Sequence, residues 1–180
     1  FNAFNHLVFK AARLDLTEGQ LYTLSEGSLN LVQEIEEPVQ LYFFFGEAAS
    51  RDLTPIRTYA DRVESMLEEF ALASNGMLVV ERIDPAPFSE AEDEAAAFGL
   101  QAVPVSATGD ALYFGLAGSD ALDNVETIPF FQPDREMFLE YEISQLIDRL
   151  ARPKREVVGL ISTLPVTNQV NPQTFQPEPG

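Results

Sequence analysis

The side chains able to do chemistry lie in a few separated stretches of this 180-residue chain. Gly46-Glu47-Ala48-Ala49-Ser50-Arg51 follows an aromatic run and offers a carboxylate, a hydroxyl and a guanidinium close together. Asp84-Pro85-Ala86-Pro87-Phe88 carries one carboxylate on a loop stiffened by two prolines, at the end of an apolar run. Asp120, Asp123, Asn124 and Glu126 place hard oxygen donors in one short loop, the ligand type that Ca²⁺ takes, without the D-x-D-x-D-G spacing of a calcium loop. Phe130 and Phe131 are adjacent, so in an extended segment their rings point to opposite faces and one is left to anchor a partner. Asp134 follows them.

The residue counts exclude several reaction classes. With no cysteine, disulfide exchange, thiolate nucleophiles and zinc–thiolate sites are all ruled out. His6 is the only histidine, which excludes a histidine metal site and leaves any Ser-His-Asp triad dependent on one residue, with no G-x-S-x-G turn to hold the serine. No G-x-G-x-x-G or Walker A stretch offers a phosphate cradle. A carboxylate hydrolase needs two acids roughly 5–10 Å apart across a sugar bond, a spacing in space that sequence does not give. The chain therefore reads as a non-enzymatic domain without a cofactor. Eleven basic residues against 29 acidic ones give a net charge of −18, which repels phosphate backbones and anionic headgroups and disfavours nucleic acid. The acids of Ser89-Glu-Ala-Glu-Asp-Glu sit in a helix's first turns, where its dipole favours them; they also suit a basic partner.

Periodicity supplies the elements that hold these groups. Thr23 and Glu26 predict a capping box before a helix bearing Leu29, Val32 and Ile35, which Pro38 closes. VQLYFFF, residues 39–45, is a continuous apolar run, the mark of a strand covered on both faces. Thr54 and Pro55 open a long helix with Ile56, Tyr59, Val63, Met66, Leu67 and Phe70 at helical spacing, and Asn75-Gly76 ends it. A strand over 77–84, a short helix capped by Ser89 and stopped at Gly99, and a hairpin turning near Thr108-Gly109-Asp110 follow. A further strand near Val125–Phe131 precedes a helix from Pro133 to Pro153, whose two apolar faces, Phe138/Tyr141 and Leu139/Ile143/Leu146/Leu150, predict packing on both sides. Residues 155–163 read as another strand, and 164–180 as a mobile tail.

Strands alternating with helices and ending in a hairpin and a helix form a mixed α/β sheet in thioredoxin-like order, over residues 14–153. In that fold the redox motif follows the first central strand, where this chain has Gly46 to Ser50 and no sulfur. The proline of FGLQAVPV, Pro104, would face that loop. Its structural role is to shape the strand start and withhold one N–H; its functional role would be to line a groove shared with residues 46–53.

RLDLTEGQLYTLSEGS, DPAPFSEAEDEA, FGLQAVPV, LYFGLAGS, IPFFQPDREMFLEYEIS and VVGLISTLPV, in that order, resemble the gliding-motility-associated ABC-type transport system auxiliary family, from about Arg13 to Val166. The resemblance implies a non-ATPase auxiliary component whose membrane helices flank a large extracytoplasmic region, and it brings no catalytic residues. On that reading residues 1–13 follow a membrane anchor, 154–180 begin a further subdomain, and the chain is a piece of a longer inner-membrane protein with this domain on the periplasmic side. Its partners would be permease or ATPase subunits, or other envelope proteins. The expected contact residues are Glu47, Ser50, Arg51, Asp84, Pro104, Phe130, Phe131 and Asp134. The alternative is a small-ligand module, for a glycan or Ca²⁺, built on Asp84 and the loop from Asp120 to Glu126.

Overall fold

A computed structural model describes residues 23–105 and 111–152. His6, the segment 1–13, the turn at Thr108-Gly109-Asp110, the strand expected at 155–163 and the tail 164–180 lie outside the described residues. The apolar run forms β1 (Val39–Phe45), and the long periodic stretch forms α2 (Thr54–Ala73). β2 (Leu78–Ile83) returns parallel to β1, as a strand–helix–strand crossover requires. The short helix α3 (Glu90–Ala97) leads into a hairpin of β3 (Ala102–Pro104) and β4 (Ala111–Ser119). β5 (Val125–Ile128), a 3₁₀ segment (Pro133–Phe138) and α4 (Leu139–Ala151) complete the order, with α1 (Glu26–Gln33) before β1.

The sheet is mixed: β2 and β1 are parallel, and β4 is antiparallel to β1, with Phe45 opposite Phe114 and Gln40 opposite Ser119. β4 then shares its outer edge between two short strands. Ala111 to Tyr113 pair with β3, and Leu116 to Ser119 pair with β5. The two strands meet where the Gln101 N–H donates to the Pro129 carbonyl at 2.9 Å, beside Gly115. This is the thioredoxin-like α/β arrangement, a mixed five-stranded sheet flanked by helices, with no cysteine.

Alternation along the strands divides the core. Val39, Leu41, Phe43 and Phe45 of β1, with Leu112, Phe114 and Leu116 of β4, face α2 and α4. The Phe114 ring touches those of Phe43, Phe45, Tyr59, Phe130 and Phe131, with centroids 5.3–6.2 Å apart, so the phenylalanine-rich composition builds one aromatic cluster. Each such ring contributes about 1.5–3 kcal/mol by leaving water. The opposite face is thinner. Phe44, Tyr113 and Ala117 are covered by Ala95, Leu100 and Phe98, with Phe98 stacked on Tyr42 at 5.3 Å. β1 is therefore fully covered towards α2 and only half covered at Gln40 and Tyr42 on the α3 side.

Several local expectations differ from the structure, and α1 ends at Gln33, before Ile35 and Pro38. The cap of α1 is Ser25, whose Oγ accepts from the Ser28 N–H at 3.3 Å, and not Thr23. Ser25 is held by a residue far along the chain, since its own N–H donates to Glu140 Oε1 at 2.7 Å. Thr54 is the first helical residue of α2, behind Leu53 at the uncapped N-cap position, so its hydroxyl lies past the point where it could cap. The helix expected from Pro133 is a 3₁₀ segment until Leu139, and only one of its two apolar faces is buried. Leu139, Ile143, Leu146 and Leu150 are in the core, while Met137, Phe138 and Tyr141 are exposed.

Candidate interaction site

The carboxyl ends of β1 and β2 bring two of the predicted residues together. Gly46 closes β1 by donating its N–H to the Tyr113 carbonyl at 3.0 Å. The next N–H, that of Glu47, donates to Asp84 Oδ1 at 3.1 Å, so the loops following the two parallel strands are tied directly to each other. The Glu47 carboxylate pairs with Arg82 and lies 3.7 Å from Arg57. Arg82 also pairs with Glu64 of α2, and its guanidinium sits 5.9 Å from the Phe45 ring centroid. Burial works against the Arg82 cation, but the Glu64 and Glu47 carboxylates outweigh it and raise its pKa further. All four charged groups are partly exposed, so each pair contributes at most about 1 kcal/mol; their joint effect is to fix the loops' position.

The second loop is ordered residue by residue. Pro85 is buried, and the Ala86 N–H donates to the Asp84 carbonyl at 2.9 Å. The Ala86 carbonyl accepts from both the N–H and the Oγ of Ser89, at 3.1 and 2.7 Å. Ser89 then caps α3, accepting from the Glu92 N–H at 3.2 Å, while Glu92 Oε2 reaches back to the Phe88 N–H at 2.7 Å. This is a capping box shifted outward by one residue. It holds Phe88 at φ +64°, a left-handed conformation rare for a bulky side chain, with its ring wholly exposed at 102% relative accessibility. At the other end of α3, Gly99 takes φ +77° and the Leu100 N–H bonds to the Ala95 carbonyl at 3.0 Å, a Schellman-type stop.

The other predicted residues have different roles. Ser50 is fully buried and its Oγ donates to the Glu47 carbonyl at 3.2 Å, so it builds the turn and presents nothing outward. Arg51 is exposed and makes no ion pair among the described residues. Pro104 joins β3 opposite Ala111, on the outer edge of β4 and through a trans peptide bond. β4 lies between it and β1, so Pro104 does not face the loop that follows β1 as its neighbour. Phe131 is fully buried against Phe43 and Phe114, and Phe130 packs its ring edge on Phe114 while half-buried; neither is a free anchor. Asp134 is exposed in the 3₁₀ segment. With Glu142 and Glu136 it adds to the burial that pushes the Tyr59 hydroxyl up to about 12.

The loop read as a weak Ca²⁺ candidate is engaged with itself and with α4. Asp120 Oδ1 accepts from the N–H groups of Leu122 and Asn124 at 2.8 and 2.9 Å, and its Oδ2 from the Asn124 amide at 2.7 Å. Burial works against the Asp120 carboxylate, but the Asn124 amide and the backbone N–H groups together outweigh it and lower its pKa. Glu126 pairs with Arg149 at 3.1 Å. Among the described residues no three histidine or acidic side chains converge as a metal site.

Sequence reasoning passed over Phe88. Its signal was its place between Pro87 and the capping Ser89, in a loop that belongs to no periodic apolar face. A second unforeseen cluster joins α1 to α4: Glu140 Oε1 accepts from Ser28 Oγ at 2.6 Å and from the Ser25 N–H, and Ser28 Oγ lies 2.9 Å from Ser144 Oγ. Burial alone would raise the Glu140 pKa, but the serine donors outweigh it and hold it below the usual carboxylate range.

Residues 18–119 match a family described only as a domain of unknown function, DUF7088, and the chain belongs to that family. No curated protein and no solved structure gives a significant match. Among the described residues no helix is long and apolar enough to cross a membrane.

Proposed function

We propose that this DUF7088 domain is a non-catalytic docking module, the extracytoplasmic part of an auxiliary component of an ABC-type transport system. The transport assignment and the periplasmic side rest on the sequence resemblance from Arg13 to Val166. The docking role rests on one observation: the paired loops after β1 and β2 are fixed by the Glu47–Asp84 hydrogen bond and present an unburied aromatic ring, Phe88. Exposed aromatic side chains on a rigid support are what protein interfaces use as anchors, because little entropy is lost when they dock.

The test is affinity purification of the full-length protein from its own membranes, with and without residues 23–152. Permease and ATPase subunits that co-purify only when the domain is present support the reading. Their recovery after the deletion refutes docking by this domain, and their absence from both samples refutes the transport assignment.

A further inference from the structure

We infer that Phe88 is the anchor of a docking surface for a basic segment of a protein partner. The inference rests on the docking reading above and names the chemistry of the partner. A phenylalanine wholly in water, in a left-handed conformation, is unfavourable on both counts for the isolated domain. The surrounding bonds from Asp84, Ala86, Ser89 and Glu92 hold the loop's backbone, and with it the point from which the ring projects, so docking needs no ordering of the loop.

Charge defines what meets the ring. From Asp84 to Glu94 the chain carries Asp84, Glu90, Glu92, Asp93 and Glu94 and no basic residue. Glu92 gives one oxygen to the Phe88 N–H, and Asp84 gives one to Glu47, while Glu90, Asp93 and Glu94 are exposed. An arginine or lysine of the partner therefore stacks on the open face of Phe88 and pairs with these carboxylates, an arrangement that combines ring burial with cation–π attraction. An anionic bilayer would be repelled by the same acids, which favours a protein over a membrane.

The experiment places a photo-crosslinking p-benzoylphenylalanine at position 88 of the full-length protein in its own host. A control carries it at Leu72, which is exposed near the end of α2 far from these loops. The expected result is an adduct specific to position 88, mapped by mass spectrometry to a lysine- or arginine-bearing segment of one protein, with a yield that falls as salt rises. Phe88→Gly, which suits φ +64°, should keep the fold and reduce recovery of that protein ten- to a hundredfold. A Glu90→Gln/Asp93→Asn/Glu94→Gln variant should lower recovery and flatten its salt dependence. Adducts no stronger than at Leu72, adducts to lipid, or adducts to a segment without basic residues overturn the proposal. The two readings fail separately. Transporter subunits still recovered with Phe88→Gly would remove the anchor and leave the transport role; a Phe88 adduct to a basic segment of a protein from no transporter would do the reverse.

Discussion

A methyl group on Gly115 tests whether β4 really divides its outer edge between β3 and β5. A Cβ at this position would lie 2.7 Å from the Ile128 carbonyl oxygen, 3.0 Å from that of Pro129 and 2.8 Å from Leu100 Cδ2. Two of these three atoms are backbone and must move by several tenths of an ångström. They are held in place by the Gln101–Pro129 bond at 2.9 Å and the Phe131–Phe114 bond at 2.7 Å, so the shift loosens both. Overpacking costs about 1–3 kcal/mol and the two bonds about 1 kcal/mol each, offset by about 0.5–1 kcal/mol from removing a flexible glycine. Gly115→Ala should therefore destabilise by about 2–4 kcal/mol. Gly118→Ala is the control: its Cβ would meet Leu150 Cδ1 at 2.5 Å, Leu41 Cδ2 at 2.8 Å and Leu146 Cδ2 at 3.1 Å, all ends of rotatable side chains. Its expected cost is about 1 kcal/mol after the same offset. In urea, with a slope of about 1–3 kcal/mol per molar, the Gly115 variant should unfold at a midpoint about 1–2 M lower, and the Gly118 variant at one less than about 1 M lower. A Gly115→Ala midpoint at or above that of Gly118→Ala would show that β3 and β5 do not meet there, and would refute the shared edge.

Three further outcomes follow from single contacts. Phe131→Ala should cost about 3–5 kcal/mol in urea unfolding, because the ring is fully buried against Phe43 and Phe114, and half-buried Phe130→Ala distinctly less; equal losses would contradict the assigned orientations. Glu140 has a folded pKa below its unfolded one, so its contribution is complete above the unfolded value of about 4.3 and is lost as pH falls through the folded value. Glu140→Gln should thus flatten the acid limb of a stability–pH curve; an unchanged limb would mean that the Ser25 and Ser28 donors do not favour the carboxylate. Adding millimolar Ca²⁺ should leave the melting temperature unchanged, since Asp120, Asn124 and Glu126 are already engaged, and a rise would reinstate the loop as a cation site.

The sequence was most legible where a residue's fate depends on near neighbours. Tyr59, Val63, Met66, Leu67 and Phe70 recur at helical spacing and all are buried, and Ser89 caps α3 with Glu92 three residues on. It was least legible where a distant contact decides. The local pattern of Thr23 and Glu26 favours Thr23 as the cap, and the choice of Ser25 goes with a bond from its N–H to Glu140, 115 residues away. Phe138 and Tyr141 form an apolar face as regular as that of Leu139 and Ile143, but periodicity gives only the face and not whether another element covers it. For the candidate site, Glu47 and Asp84 were named as separate loop residues, and their direct bond needed the parallel pairing of β1 with β2. Phe130 and Phe131 are neighbours in sequence, yet the aromatic cluster around Phe114 takes in both, and Phe88 is the most exposed aromatic ring among the described residues.

In a redox-active relative of this fold the proline-led strand would border the loop after β1 and close one side of a groove over the thiols. In this chain the hairpin puts β4 beside β1 and Pro104 on the outer edge of β4. The loop after β1 begins with the Gly46 bond to Tyr113 of β4 and is tied to the β2 side through the Asp84 bond to Glu47 and the Arg82 bridge to Glu47 and Glu64. A loop fixed in this way by partly exposed charged groups suits a surface that meets another macromolecule better than one that encloses a small reactant. The loop after β2 now bears the contact that fixes the site, and the rigidity this demands of Asp84 to Ser89 is what keeps the aromatic ring out in solvent.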